Sequence, residues 1–213
     1  MIQKYIFSFI LGCTFFCMQS NAQEVILNKR NLSPEAVTNA LDKADKIVEK
    51  LSLTEPTIKE NVTNVIANRY MELREIHIAY EKRNASIESL ELNKQEKDSL
   101  LERSYYHYNN DLYRSRFGYI TWLSFYLDEG QIEKVRNEMT SNMFFKYYKL
   151  FEGQVPQMTD NQKHRVRAWL KEAREFAMDF ETERKMRQMF IKYRGRINNY
   201  LSKCGYDLSK SSK

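Results

Sequence analysis

The sequence predicts an all-α protein: one helical domain of about six helices, following a cleaved leader. Three observations carry this. Apolar residues recur at spacings of three and four along most of the chain after residue 33, the repeat of a helix with one buried face. The 213 residues include only 6 Gly and 3 Pro, too few for the turns of an all-β sandwich, and each proline falls at a helix edge. Tyr 14, Phe 12 and Met 9 supply bulky groups for packing between helices. At 42% hydrophobic and 29% charged, the chain is neither disordered nor a polytopic membrane protein.

Residues 1–22 read as a signal peptide. Lys4 gives a positive start, and Tyr5 to Met18 form an apolar run interrupted by Ser8, Gly12 and Thr14. Ser20-Asn21-Ala22 supplies the small residues that a signal peptidase reads. The run is too short for a permanent anchor. Cleavage after Ala22 leaves residues 23–213 exported, periplasmic or at the cell surface, as a single helical domain. Ile10-Leu11-Gly12-Cys13 offers a competing reading as a bacterial lipidation box, which would leave apolar Thr14-Phe15-Phe16 directly after the lipid. Cleavage after Ala22 removes Cys13 and Cys17. Cys204 then has no partner for an intramolecular disulfide and is expected to be a small buried apolar residue.

Ser33-Pro34-Glu35 opens the first helix: an N-cap, then a proline at the position where a missing N–H costs nothing. Val37, Leu41, Ala44, Val48 and Leu51 form its buried face. The second starts at Thr54-Glu55-Pro56, carries the stripe Ile58, Val62, Val65, Ile66, Tyr70, Leu73, Ile76 and Tyr80, and ends near Arg83-Asn84. Residues 84–99 contain a connection and the start of a third helix, which runs through Leu100, Leu101, Tyr105, Tyr108, Leu112 and Tyr113, with a bend expected at Gly118. Asp128 starts a further helix that lasts until the break at Gly153 to Pro156. Two more follow, at about 160–180 and 183–204, and Gly205 with Tyr206 and Leu208 reads as a helix stop with an apolar latch.

Helix-start chemistry recurs. Gln131 and Gln162 each lie three residues after a capping residue, Asp128 or Thr159, as a capping box requires. Leu53 with Ile58, and Leu127 with Ile132, have hydrophobic-staple spacing. The same short pattern resembles the Leu-Thr-x-x-Gln signature of Spy-like periplasmic helical chaperones, over about five residues per site.

Catalytic motifs are absent from the sequence. There is no Gly-x-Ser-x-Gly elbow, Walker loop or Gly-x-Gly-x-x-Gly run. His77, His107 and His164 are scattered, and although His77 with Glu81 and His107 with Asp111 are i,i+4 pairs, they read as ordinary surface or half-buried histidines. Carboxylates alternate with Lys and Arg, the pattern of a solvated face, so no glycosidase pair is singled out. An enzyme of carbohydrate metabolism using an unrecognised pair stays open as an alternative. No metal or cofactor is expected.

Charge is uneven. Without Lys4 the net charge falls from +6 to +5, and residues 155–213 hold 14 Lys/Arg against 7 Asp/Glu. Such an end attracts anionic partners. Export argues against nucleic acid, and no nucleic-acid motif is present.

Two features suit a sugar ligand. Most rings belong to the core, and Trp122 and Trp169 are the candidates for stacking on a sugar. In the last helix Phe190, Tyr193, Ile197, Tyr200, Leu201 and Cys204 form the apolar stripe, while Lys192, Arg196, Asn199 and Lys203 share another face. Gly195 costs about 1 kcal/mol inside a helix, which suggests a close neighbouring backbone or ligand. Asn198 and Asn199 are poor helix formers, so the pair calls for an interhelical polar network or for a hydroxyl-rich or anionic ligand bonded by Arg196 and the two amides.

Phe190 through Leu208 resembles the end of an uncharacterised family of exported Bacteroidota proteins that carries a sugar-binding label. Leu53-Thr54 through Ile66-Ala67-Asn68-Arg69-Tyr70 to Ile76-His77 resembles the same family. So do Gln131 to Val135 with Met139-Thr140, and Leu170 to Glu175 with Ala177-Met178-Asp179. Cys204 and Arg194 depart modestly from its pattern. The resemblance implies non-catalytic binding of a carbohydrate or glycan-derived ligand, with Arg196, Asn198, Asn199, Lys192, Trp122 and Trp169 as candidate contacts. Monomer and dimer are equally compatible with the sequence.

Overall fold

A computed structural model describes residues 24–208. The leader, its cleavage point after Ala22 and the alternative lipidation at Cys13 lie outside the described residues. Within them the fold is all-α, with no strand, and no helix is long and apolar enough to cross a membrane. The order is α1 Pro34–Val48, a 3-10 turn Glu49–Leu51, α2 Pro56–Glu88, α3 Lys94–Ser124, α4 Glu129–Met139, α5 Met143–Gln154, α6 Asp160–Ala177 and α7 Glu183–Lys203.

Local chemistry explains most of these boundaries. Ser33 accepts from the Ala36 N–H, and Pro34 and Pro56 each open a helix. Asp128/Gln131 and Thr159/Gln162 form the expected capping boxes, and Asn93/Glu96 adds a third at the start of α3. At the other end Gly205 adopts φ +93°, while the N–H groups of Tyr206 and Gly205 donate to the carbonyls of Leu201 and Ser202. That is a Schellman stop, and Tyr206 and Leu208 latch onto the core as expected.

The structure extends the second helix past the expected end near Arg83-Asn84 to Glu88, and it corrects the sequence reading elsewhere too. Among the described residues there are seven α-helices, because the segment expected as one helix from Asp128 divides at Thr140–Asn142. Ser141 and Asn142 are left-handed there, with φ 52° and 56°. The Thr140 hydroxyl donates back to the Arg136 and Asn137 carbonyls and Asn142 donates to Glu138, so side chains stabilise the break without glycine. Gly118 lies inside α3, which continues through it to Ser124. Cys204 is exposed rather than buried, because it caps α7 after the last turn and the apolar seal passes to Tyr206 and Leu208.

Packing divides the core in two. α1 and the α2–α3 hairpin enclose one apolar cluster with one face of α4, including Val48, Val62, Ile66, Met71, Leu123 and Val135. α5, α6 and α7 enclose another around Phe151, Leu170, Phe190, Ile197 and Leu201. Two buried arginines join the halves. Arg174 of α6 donates to Glu133 and Asn137 of α4 at 2.6–2.9 Å. Arg69 of α2 reaches Asp179, in the loop between α6 and α7, at 2.7 Å.

Candidate functional site

A cleft of about 750 Å³ lies between α2 and α3, with the segment before α1 as its third wall. That segment has no secondary structure of its own, and asparagine side chains of α2 bond its backbone. Val25 N–H donates to Asn61 at 2.7 Å, Asn64 donates to the Val25 carbonyl at 2.8 Å, and Asn68 donates to the Ile26 carbonyl at 2.9 Å while accepting from Asn28 N–H at 2.7 Å. Spacings of three and four put Asn61, Asn64 and Asn68 on one helix face, so they form a ladder along an extended peptide. Arg30 closes the segment by an ion pair with Glu75.

α2 and α3 supply the walls. Glu72 accepts from the Ser115 hydroxyl at 2.8 Å, and Arg30 lies 3.8 Å from it on the other side. Asp111, Arg114, Gly118 and Trp122 form the α3 rim, and the Trp122 ring is 38% exposed. Deeper in, Arg69 packs its guanidinium 5.8 Å from the Tyr119 ring centre. Its Nη2 bonds Asp179, whereas its Nη1 is buried with no hydrogen-bond partner among the described residues. Burial pulls the Arg69 pKa down, and the charges of Asp179 and Glu72 oppose the shift, so it stays a cation.

Behind this wall Asp179 organises a network. Its carboxylate accepts from Arg69 and from Arg116, whose Nε lies 3.1–3.2 Å away and whose Nη2 makes a second bond. Burial pushes the Asp179 carboxyl up, and the Arg116 bonds and the charges of Arg116, Arg69 and His77 act against that push. The Asp179 carbonyl lies 2.9 Å from His77 Nε2 and can only accept, so Nε2 carries the proton. His77 Nδ1 lies 3.1 Å from the Tyr108 hydroxyl, and Tyr108 stacks on Tyr80. Sequence reading treated His77 as ordinary and missed Arg69, Glu72, Arg116 and Asp179. A signal was present for Arg69, which interrupts the apolar face of Val62, Val65, Ile66 and Leu73. A charge on a buried helix face requires a buried partner.

The candidates drawn from the sequence separate onto two surfaces. Trp122 belongs to the cleft. Trp169 and Arg196 meet on the α6–α7 hairpin, where the Arg196 guanidinium lies 4.6 Å from the Trp169 ring centre and 3.3 Å from Glu172. Lys192 and Asn199 are exposed on α7, and Asn198 is half-buried with its Oδ1 unpartnered. Gly195 touches no neighbouring backbone, contrary to expectation: a Cβ added there would meet nothing within 4 Å, because this face of α7 points to solvent.

The chain belongs to the DUF3826 family of proteins of unknown function, which matches residues 37–213 and so includes all of α1 but its first three residues and the whole of α2 to α7. The search of curated proteins found no match.

Proposed function

We propose that this family member is an exported, non-catalytic carbohydrate-binding protein whose α2–α3 cleft holds a neutral sugar. One observation carries the reading: the cleft sets a half-open indole, Trp122, among interleaved donors and acceptors. Arg69, Arg114, Asn68 and Ser115 stand beside Glu72, Glu75 and Asp111. A sugar hydroxyl both donates and accepts, so a polyol can use the bonding capacity these groups keep beyond their own contacts, and the indole face suits the C–H face of a pyranose. A small anion would meet four carboxylates, Glu24, Glu72, Glu75 and Asp111, and an apolar ligand would cover them. The volume falls in the range of about 300–1,000 Å³ typical of small-molecule sites. The signal-peptide pattern and the resemblance to exported Bacteroidota proteins with a sugar-binding label support the same reading.

The test is a thermal-shift screen of residues 23–213 against mono- and oligosaccharides. A ligand at 100 times its Kd stabilises by about 2.7 kcal/mol, a shift of several degrees at this chain size. Gly118 lines the cleft, and a Cβ there would meet nothing within 4 Å. Gly118→Trp is therefore expected to fill the cleft and abolish the shift in a folded protein, while Arg196→Ala and Trp169→Ala keep it. A flat panel overturns the sugar reading, and a shift that survives Gly118→Trp but is lost in Trp169→Ala moves the site to α6–α7.

One observation favours a second reading, a Spy-like helical chaperone. α3 carries Tyr106, Tyr113 and Phe117, and Phe125 caps its end, each with more than half of its surface exposed, a face that unfolded clients can use. Suppression of client aggregation at near-stoichiometric amounts, with no preference among sugars, would select it.

A further inference from the structure

The exposed face of α7 carries a straight row of cations that the cleft does not use. Lys185, Lys192, Arg196 and Lys203 are spaced by seven, four and seven residues, so they share one side of the helix. At 1.5 Å per residue the row is about 27 Å long. All four side chains are exposed. Among the described residues no carboxylate pairs with Lys185, Lys192 or Lys203, and only Arg196 has one, Glu172.

Most acids elsewhere in this hairpin are already engaged, Asp160 at the start of α6 excepted. Glu175 pairs with Arg174, Asp179 with Arg69 and Arg116, Glu181 with Arg74, and Glu183 with Arg187. The positive potential of the row is therefore not cancelled locally, and its like charges repel one another until something neutralises them. Beside the row stand Gly195 and Asn199, both exposed. Gly195 leaves an open strip at the cost of helix propensity, and Asn199 lies next to it. At its edge Trp169 is clasped by Arg196 and by Arg165, which also lies 5.2 Å from the Tyr200 ring centre.

We infer that this row is a second binding surface, for a linear polyanionic glycan whose carboxylate or sulfate groups pair with successive cations. Charge complementarity selects a polyanion, and the length of the row selects a polymer over a single ion. The polar strip of Gly195 and Asn199 selects a hydroxyl-rich chain over a bilayer, which would need apolar side chains to insert. The clasped Trp169 is not free to insert. The choice of a glycan rests on the proposed function, whereas the position of the surface does not depend on the cleft.

The experiment is titration of residues 23–213 with polygalacturonate oligomers, with uncharged dextran and with phosphatidylglycerol vesicles, at about 50 and about 300 mM salt. Polygalacturonate is expected to bind, and to bind more weakly at the higher salt, where the screening length drops below about 10 Å. Lys192→Ala/Lys203→Ala is expected to weaken it about tenfold and to flatten the salt dependence. These side chains are exposed, so the melting temperature should stay unchanged, and Gly118→Trp should bind polygalacturonate as the parent does. Equal affinity in the double variant, equal binding of dextran, or binding of vesicles without polygalacturonate overturns the inference. Loss of neutral-sugar shifts with polygalacturonate binding intact would fail the cleft and leave this surface standing.

Discussion

Arg69 and Asp179, 110 positions apart in the chain, meet through a 2.7 Å charge-assisted hydrogen bond with both side chains at most 3% exposed. The bond ties α2 to the loop between α6 and α7, where the two apolar clusters abut. Arg116 completes the ion network from α3. Removing one partner strands charge in the interior. Asp179→Ala, which leaves Arg69 and Arg116 uncompensated, should cost about 3–5 kcal/mol in urea unfolding. The pair Arg69→Met/Asp179→Leu should be less destabilised than the sum of its singles, because the fully buried Arg69 charge leaves with its partner and only the partly exposed Arg116 loses its carboxylate. Additive losses would show that the two side chains are not coupled.

Glu133 makes the other junction sensitive to acid. Burial pushes its carboxyl up, but the Arg174 hydrogen bonds, the Arg174 charge and Lys171 together hold it below the ordinary value of 4.5. The folded state thus keeps this proton off more strongly than the unfolded chain does. Its contribution is fully present well above pH 4.5 and is lost as pH falls through the folded value. Stability measured from pH 7 down to pH 3 should decline, and Glu133→Gln should be less stable at pH 7 with a shallower decline. A parallel curve for the variant would remove Glu133 from the acid response.

Gly195 imposes a helix penalty that no packing in the bundle explains. Gly195→Ala should therefore raise stability by up to about 1 kcal/mol, since alanine gains propensity and meets no neighbour. That corresponds to roughly 2–4 °C in Tm. A loss of stability would mean that a neighbour approaches this face after all.

The break between α4 and α5 makes an opposite demand at Ser141. With φ 52° the residue is left-handed, so Ser141→Gly should be neutral or stabilising. Ser141→Val should destabilise by about 1–2 kcal/mol, the cost of holding a β-branched residue in that region. Equal unfolding midpoints for the two variants would contradict the assigned conformation.

Cys204 should label as a surface thiol. In residues 23–213 a disulfide-exchange reagent is expected to modify it in the native state, without denaturant and about as fast as in the unfolded chain. Protection lifted only by urea would place it back in the core.

What the sequence determined by itself was local. Helix starts at Pro34, Pro56, Asp128 and Thr159, and the stop at Gly205, follow from chemistry within four residues of each end. The apolar faces of α1, α2 and α7 follow from a repeat of 3.6, because a helix closes its hydrogen bonds with near neighbours. The break at Ser141–Asn142 escaped this reading because its stabilisation comes from Thr140 and Asn142 rather than from the usual glycine. Tertiary structure alone decided that Trp122 faces a cleft while Trp169 and Arg196 share another surface. It also decided that Cys204 lies past the apolar seal, and that Arg69 on an apolar face finds Asp179. These relations depend on which helix faces meet, and each meeting is fixed by the packing of many side chains from distant segments. No short stretch of sequence contains that sum.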